Sequence, residues 1–305
     1  MKEVKKVVDE YVVKRDKDIE KQRGLIKTLI GIKDSVKDGK EFYLPQDLIP
    51  DKIEETAKLL SEYFGQIPEK AFVCYAAISM QLLPLVKLEK VATFNTEITS
   101  SFKLPSIYLA DYKGHKLFIV DILQEGEDKY LELFPTLSMR VLILTGVKKF
   151  IMMAEVSGVD PDIKLGEVML FENYIPINVI SPLIGKYCKK WSEQFLDVAA
   201  IFNKERNEAV KKAFDNILPI TSKNVAWVNS IKTYVDIAEL KLGQGLRVPV
   251  ITTQGMIQSL VAFDMKKEFI TLGIIKQNLN SHTILSNTER KAIIEKLIDT
   301  LTTKY

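Results

Sequence analysis

From Pro50 onward the chain alternates short apolar runs with segments of helical periodicity, and that alternation leaves few architectures open. Asp51 to Phe64 puts Ile53, Ala57, Leu60 and the Tyr63-Phe64 pair on or near one helical face. Ala71 to Ala77 reads as a short apolar strand, and Ile107 to Leu109 with Leu117 to Ile122 as paired strands around a turn at Lys113-Gly114. Arg140 to Thr145 ends a helix, and Phe150 to Met153 and Val168 to Phe171 are buried strands. Asn207 to Phe214 reads as a helix, and Val225 to Val228, Val248 to Thr253 and Phe269 to Ile275 as strands before a closing helix from Asn287 to Thr303. Strands alternating with helices in one body predict a single α/β domain, with a twisted mixed, largely parallel central sheet flanked by helices.

Ahead of this body, residues 3–32 have helical spacing through Val4, Val7, Val8, Tyr11, Val12, Ile19, Ile26, Leu29 and Ile30, until Gly31, Gly39 and Pro45 break it. Residues 1–47 are therefore expected to be an N-terminal helical extension to a domain over 48–305. Residues 1–40 hold twelve Lys/Arg against eight Asp/Glu, a local net of +4, which leaves the remaining 265 residues at −1. Mixed signs on a narrow apolar stripe favour a helix packed on its own domain over one that docks a protein partner or lies on a membrane surface.

Charge and composition exclude several functions. A body this close to neutral lacks the clustered basic surface that nucleic acid requires. No apolar run approaches the roughly 20 residues of a membrane span, and the first residues have neither a secretory h-region nor the acid-poor character of a transit peptide. Cys74 and Cys188 make no disulfide framework and no CxxC pair. These features predict a cytoplasmic protein with inert thiols. The two histidines, His115 and His282, stand apart without an acidic cluster, so no metal and no cofactor is expected. GxGxxG, Walker A, GxSxG and HExxH patterns are all missing.

The most informative stretch is Gly146 to Leu170: an apolar strand, a Gly-containing turn, Asp160-Pro161, and a hydrophobic turn closed by Gly166 before a second strand. Around it, in order, lie Glu125-Gly126, Phe134-Pro135, Arg140-Val141, Ser181-Pro182-Leu183 with Gly185, Phe195-Leu196-Asp197, Phe202-Asn203-Lys204 and Ser230-Ile231-Lys232-Thr233. In order and spacing this resembles the trimeric purine nucleoside phosphorylases, from about residue 50 to the C-terminus. The resemblance implies a nucleoside phosphorylase-like fold and a homotrimer, although the family's inter-subunit aromatic falls within 176–180, where no clear Phe stands. The family cleaves purine nucleosides with phosphate, holding the anion with a Gly-rich loop and Ser, Arg and His side chains, and the base with Glu and Asn.

Carried over position by position, these ligands are replaced. The Gly-rich loop aligns with Tyr75-Ala76-Ala77-Ile78-Ser79, where the glycines have acquired side chains and the hydroxyl of the second position is Ala76. The phosphate Arg and His align with Val120 and Ile122, and Asp121 between them is expected to add charge of the wrong sign. A further histidine position falls near Lys103. The Ala whose amide meets phosphate becomes Glu155; the purine-binding Glu becomes Lys232, beside Thr233; and the purine-reading Asn becomes Lys276. Thr252 or Thr253 alone keeps a hydroxyl at its aligned position. Each oriented donor is worth roughly 3 kcal/mol of transition-state stabilisation, so several replacements together predict a catalytically degenerate protein with a binding, scaffolding or assembly role. An active phosphorylase with a rebuilt site and a non-catalytic nucleoside or purine carrier are the alternatives. Lysines at 232 and 276 are expected on the surface or paired, with Glu155 as the natural partner for a salt-bridged plug.

Overall fold

A computed structural model describes residues 24, 28, 31–32, 35–44, 50–96, 106–122, 134–177, 181–183, 190–191, 198–228, 237–281 and 283–305. Chain order runs β1 (Gly39–Leu44), α1 (Pro50–Phe64), β2 (Lys70–Tyr75), α2 (Ala76–Leu82), β3 (Lys87–Thr96), β4 (Ser106–Tyr112), β5 (His115–Ile122), α3 (Phe134–Thr145), β6 (Lys149–Gly158) and β7 (Val168–Ile177). It continues through α4 (Lys204–Ala213), β8 (Ile220–Val228), α5 (Ile237–Gly245), β9 (Val250–Thr252), α6 (Met256–Asp264), β10 (Glu268–Asn278), β11 (Thr283–Ile284) and α7 (Asn287–Thr303).

Among the described residues eleven strands form one mixed sheet in the order β1-β3-β4-β5-β2-β6-β9-β8-β7-β10-β11. Six of its eleven pairings are parallel. The extra pairing of β6 with β10 closes β6-β9-β8-β7-β10 into a five-stranded ring, so β6 belongs both to the ring and to the open arm. Closure puts Phe171, Val156 and Met169 around one point of β10. A Cβ at Gly273 would meet Phe171 Cε1 at 2.6 Å and Val156 Cγ1 at 2.9 Å, so only glycine fits there.

The strands are apolar on both faces because both faces are covered. Phe118, Val120 and Ile122 of β5 pack into one core with Ile53 and Leu60 of α1 and Leu142 of α3. Ile119 points the other way, into a second core with Ile78 of α2 and Ile294, Leu297 and Leu301 of α7. The β4–β5 hairpin turns at Lys113 and Gly114, both at positive φ (52° and 86°), the geometry of a two-residue hairpin loop. His115 beside it is exposed.

Three features differ from the sequence reading. The strand expected over Ala71 to Ala77 stops at Tyr75, and Ala76 already begins α2. Gly39–Leu44, inside the segment read as a helical extension, is an edge strand parallel to β3, and Ile32 and Val36 pack against the second core. The elements β1, β3, α2, α5, α6 and β11 are additions to the expected list. Among the sequence landmarks, Lys103, Glu125-Gly126, Gly185, Phe195 to Asp197, Ser230 to Thr233 (so both Lys232 and Thr233), His282 and Cys188 lie outside the described residues. No described helix is long and apolar enough to cross a membrane.

Candidate functional site

The C-terminal ends of the parallel strands β2, β5 and β6 lie side by side, the place where open α/β sheets bind ligands. Tyr75 and Ile122 are partners in the β2–β5 register, so the expected phosphate-loop segment does meet the positions aligned with the phosphate Arg and His. Its form is not a loop. Tyr75 is extended (φ −93°, ψ 163°) and the chain passes directly into α2, with Ala76 half-buried. Val120 and Ile122 are wholly buried in the apolar core.

Asp121 corrects the sequence reading. It lies on the opposite face from Val120 and Ile122, where it accepts a hydrogen bond from Ser79 Oγ at 2.6 Å. Ser79 is one turn into α2 and also lies 3.2 Å from the buried Cys74 thiol. Burial raises the Asp121 carboxyl to about 7 against the opposing pull of the Ser79 hydrogen bond. Burial likewise pushes the Cys74 thiol far above its ordinary value, which agrees with an inert cysteine. The negative charge is therefore withdrawn from the face that Val120 and Ile122 occupy.

Glu155, on β6, is the hub of the site. Its backbone N–H, aligned with the amide expected to meet phosphate, donates to Gln254 Oε1 at 3.1 Å. Thr252 Oγ1 donates to the Glu155 carbonyl at 3.2 Å and accepts from the Gln254 N–H at 3.1 Å. The carboxylate lies between two cations: Lys276 Nζ is 3.4 Å from Oε2, and Arg290 Nε is 3.3 Å from Oε1 without hydrogen-bond alignment. Side-chain exposures of 10% for Glu155, 21% for Lys276 and 9% for Arg290 put all three largely out of water. Glu155, Lys276 and Thr252 are thus brought together.

On the other face, Gln258 Nε2 donates to the Tyr75 hydroxyl at 3.2 Å, and the Tyr174 hydroxyl lies 3.1 Å from Thr271 Oγ1. Burial raises Tyr75 to about 12 and raises Tyr174 as well, so both phenols stay protonated. Gly255, at φ 100°, starts α6 where a Cβ would stand 2.6 Å from the Tyr174 hydroxyl.

Sequence reasoning missed Gln254 and Arg290. Arg290 had a signal: with Ile294, Leu297 and Leu301 it stands at i, i+4, i+7 and i+11, a charge inside the apolar stripe of α7. Gln254 had none, since only the fold brings it to Glu155. No described group of three or more His, Cys, Asp or Glu could hold a metal ion.

No protein-family model matches the chain, and no curated protein sequence does. Its fold, by contrast, matches purine nucleoside phosphorylases from Schistosoma mansoni. One, complexed with a monocyclic inhibitor, is 13% identical with a TM-score of 0.67, over 84% of this chain and 98% of that one. The enzyme in complex with adenosine is 14% identical with a TM-score of 0.66, over the same shares. Isoform 2, with cytosine and ribose-1-phosphate, is 15% identical with a TM-score of 0.64, over 83% of this chain and 94% of that one. The chain has a nucleoside phosphorylase-like α/β fold. At these identities the likeness establishes the fold alone.

Proposed function

We propose that this chain is a nucleoside phosphorylase-like protein that does not carry out phosphorolysis and that serves as a binding, scaffolding or assembly protein. One observation carries the reading. The Glu155 amide and the Thr252 hydroxyl, the two donors that the resemblance keeps for phosphate, bond instead to the chain itself through Gln254 and the Glu155 carbonyl. An oxyanion site works through donors held ready for charge that develops in the transition state, and donors already engaged cannot supply it. Val120 and Ile122, apolar and fully buried, offer nothing in their place. Residues 232 and 233 belong to the same reading as replaced purine-site positions, a homotrimer as its expected assembly, and the cytoplasm as its compartment.

The test is incubation of the protein with inosine, guanosine, adenosine or methylthioadenosine plus phosphate, reading free base. No base above background is expected. Turnover would replace this reading with an active phosphorylase using a rebuilt site. A thermal shift with nucleosides but no turnover would make the protein a carrier.

A further inference from the structure

The parallel strands β2, β6 and β10 begin side by side, and lysines gather where they begin. Lys70 and Lys149 are register partners at the starts of β2 and β6, and Glu268 at the start of β10 pairs with Lys149 on its other side. Backbone bonds tie the preceding turns together: the Lys148 and Lys149 N–H groups donate to the Glu69 carbonyl, and the Glu268 N–H to the Lys148 carbonyl. Lys266 and Lys267 lead directly into Glu268, and Lys304 caps the end of α7, which Lys70 Nζ reaches by donating to the Leu301 carbonyl at 3.1 Å. Four stretches of chain thus bring six lysines to one end of the sheet against two carboxylates, Glu69 and Glu268.

This patch has a net charge of +4 in a body, residues 41–305, whose total is −1, so the rest of that body carries −5. The near-neutral total conceals the separation, because the lysines meet only in the fold. Among the described residues none of the six stands at ion-pair distance from a carboxylate, whereas Lys52, Lys116 and Lys211 elsewhere do. Glu268 accepts instead from the Tyr305 hydroxyl, and Lys149 lies over the Tyr305 ring at 5.4 Å from its centroid. Burial and the neighbouring Lys149 hold the Lys70 ammonium below its ordinary value, the mark of positive potential left uncompensated. Lys148, Lys266 and Lys304 are exposed to solvent.

We propose that this end of the sheet is a docking surface for an anionic lipid bilayer. A lysine cluster of this size suits a dense, diffuse field of headgroups, which asks for charge and access rather than donor geometry. A protein partner fits less well: interfaces favour aromatic residues and arginine over lysine, and no exposed large apolar side chain belongs to the patch. Nucleic acid asks in addition for stacking aromatics, and the one aromatic here, Tyr305, is already held by Glu268 and Lys149. Because β2, β5, β6 and β10 run parallel from this end, the cluster around Glu155 lies toward their far ends, away from the bilayer.

The experiment is sedimentation of the full chain with vesicles of phosphatidylcholine alone, or of phosphatidylcholine with phosphatidylserine, at low and at high salt. Binding to the anionic vesicles alone is expected, with loss at high salt as the charges are screened. Lys148→Gln/Lys267→Gln is expected to weaken it about 25-fold, or roughly five-fold per lysine. Lys148→Arg/Lys267→Arg is expected to keep it, since the charge is unchanged. Lys164→Gln/Lys241→Gln, which removes two exposed lysines near the opposite end of β6, is expected to leave it as in the wild type. No binding, or equal binding to the two kinds of vesicle, overturns the proposal. So does a loss in the arginine pair or the control pair as large as that in Lys148→Gln/Lys267→Gln. Undiminished binding by Lys148→Gln/Lys267→Gln also overturns it, and assigns the attraction to the basic residues 1–40. Duplex DNA bound more tightly than the anionic vesicles, with the same loss in that variant, overturns it in favour of nucleic acid. None of these outcomes touches the reading of phosphorolysis, which is scored by free base.

Discussion

Asp121 is a carboxyl buried between β5 and α2, with Ser79 as its hydrogen-bond donor and the Cys74 thiol, Ser106 and the Tyr108 phenol around it. Its folded value near 7 lies above the ordinary carboxylate value of 3.8 because burial outweighs Ser79. Between those values the folded chain holds a proton that the unfolded chain has released. The stabilisation is fully present below about pH 4 and is lost as pH rises through 7, a span on the order of 4 kcal/mol. Asp121→Asn removes the ionisation. We expect denaturant unfolding to show wild-type stability falling between pH 5 and 8 and the variant nearly flat, with the variant the more stable at pH 8. Parallel pH profiles would defeat the assignment. The period of a strand held this information: residues adjacent in sequence face opposite ways, so Asp121 could not share a face with Val120 and Ile122.

At the scale of elements, α7 shows which segments a sequence reveals. Ser286 and Glu289 close a capping box, with Ser286 Oγ accepting from the Glu289 N–H and the Glu289 carboxylate accepting from the Ser286 N–H. The helix therefore begins and ends where the sequence reading puts it. Ser286→Ala should cost about 1 kcal/mol, a loss of about 2 °C in Tm for a domain of this size, measured by thermal unfolding. The same loosening reaches the first turns, where Arg290 meets Glu155. Other elements gave no comparable signal. Helix α6 is buried nearly all round, so it has no polar face to mark a period. Helix α2 follows β2 without a turn residue between them. Strand β3 carries Lys87, Glu89 and Lys90 in its first four residues, which obscures its apolar partners Val91 and Phe94.

The whole molecule is an open arm of strands joined to a closed ring through β6, which pairs with β2, β9 and β10. Stability should be graded accordingly, since cooperative units centre on the most enclosed strands. In native-state hydrogen exchange the amides of β6 and β10 are expected to be the slowest, and those of the edge strands β1 and β11 the fastest. Exchange in β6 as fast as in β1 would contradict this account of the fold. The resemblance captured the mixed sheet flanked by helices because the turn-forming Asp160-Pro161 and Gly166 remain in order along the chain, whereas the ring closed by β6 and β10 was visible only in the fold. The site was only half legible. Opposite charges at 155 and 276 announce a pair, but Gln254 and Arg290 reach Glu155 from 99 residues downstream and from a separate helix, distances that only folding removes.

The engagement of the Glu155 amide by Gln254 bears on how such a chain could change over generations. An arginine placed at position 120 would enter packed apolar surroundings, where an uncompensated cation is costly, and would find the neighbouring donors already occupied. A glycine at 254 would free the amide, but Glu155 would still fill the space between Lys276 and Arg290. Changing any one of these positions alone thus leaves the others closed, and opening the pocket requires several changes at once.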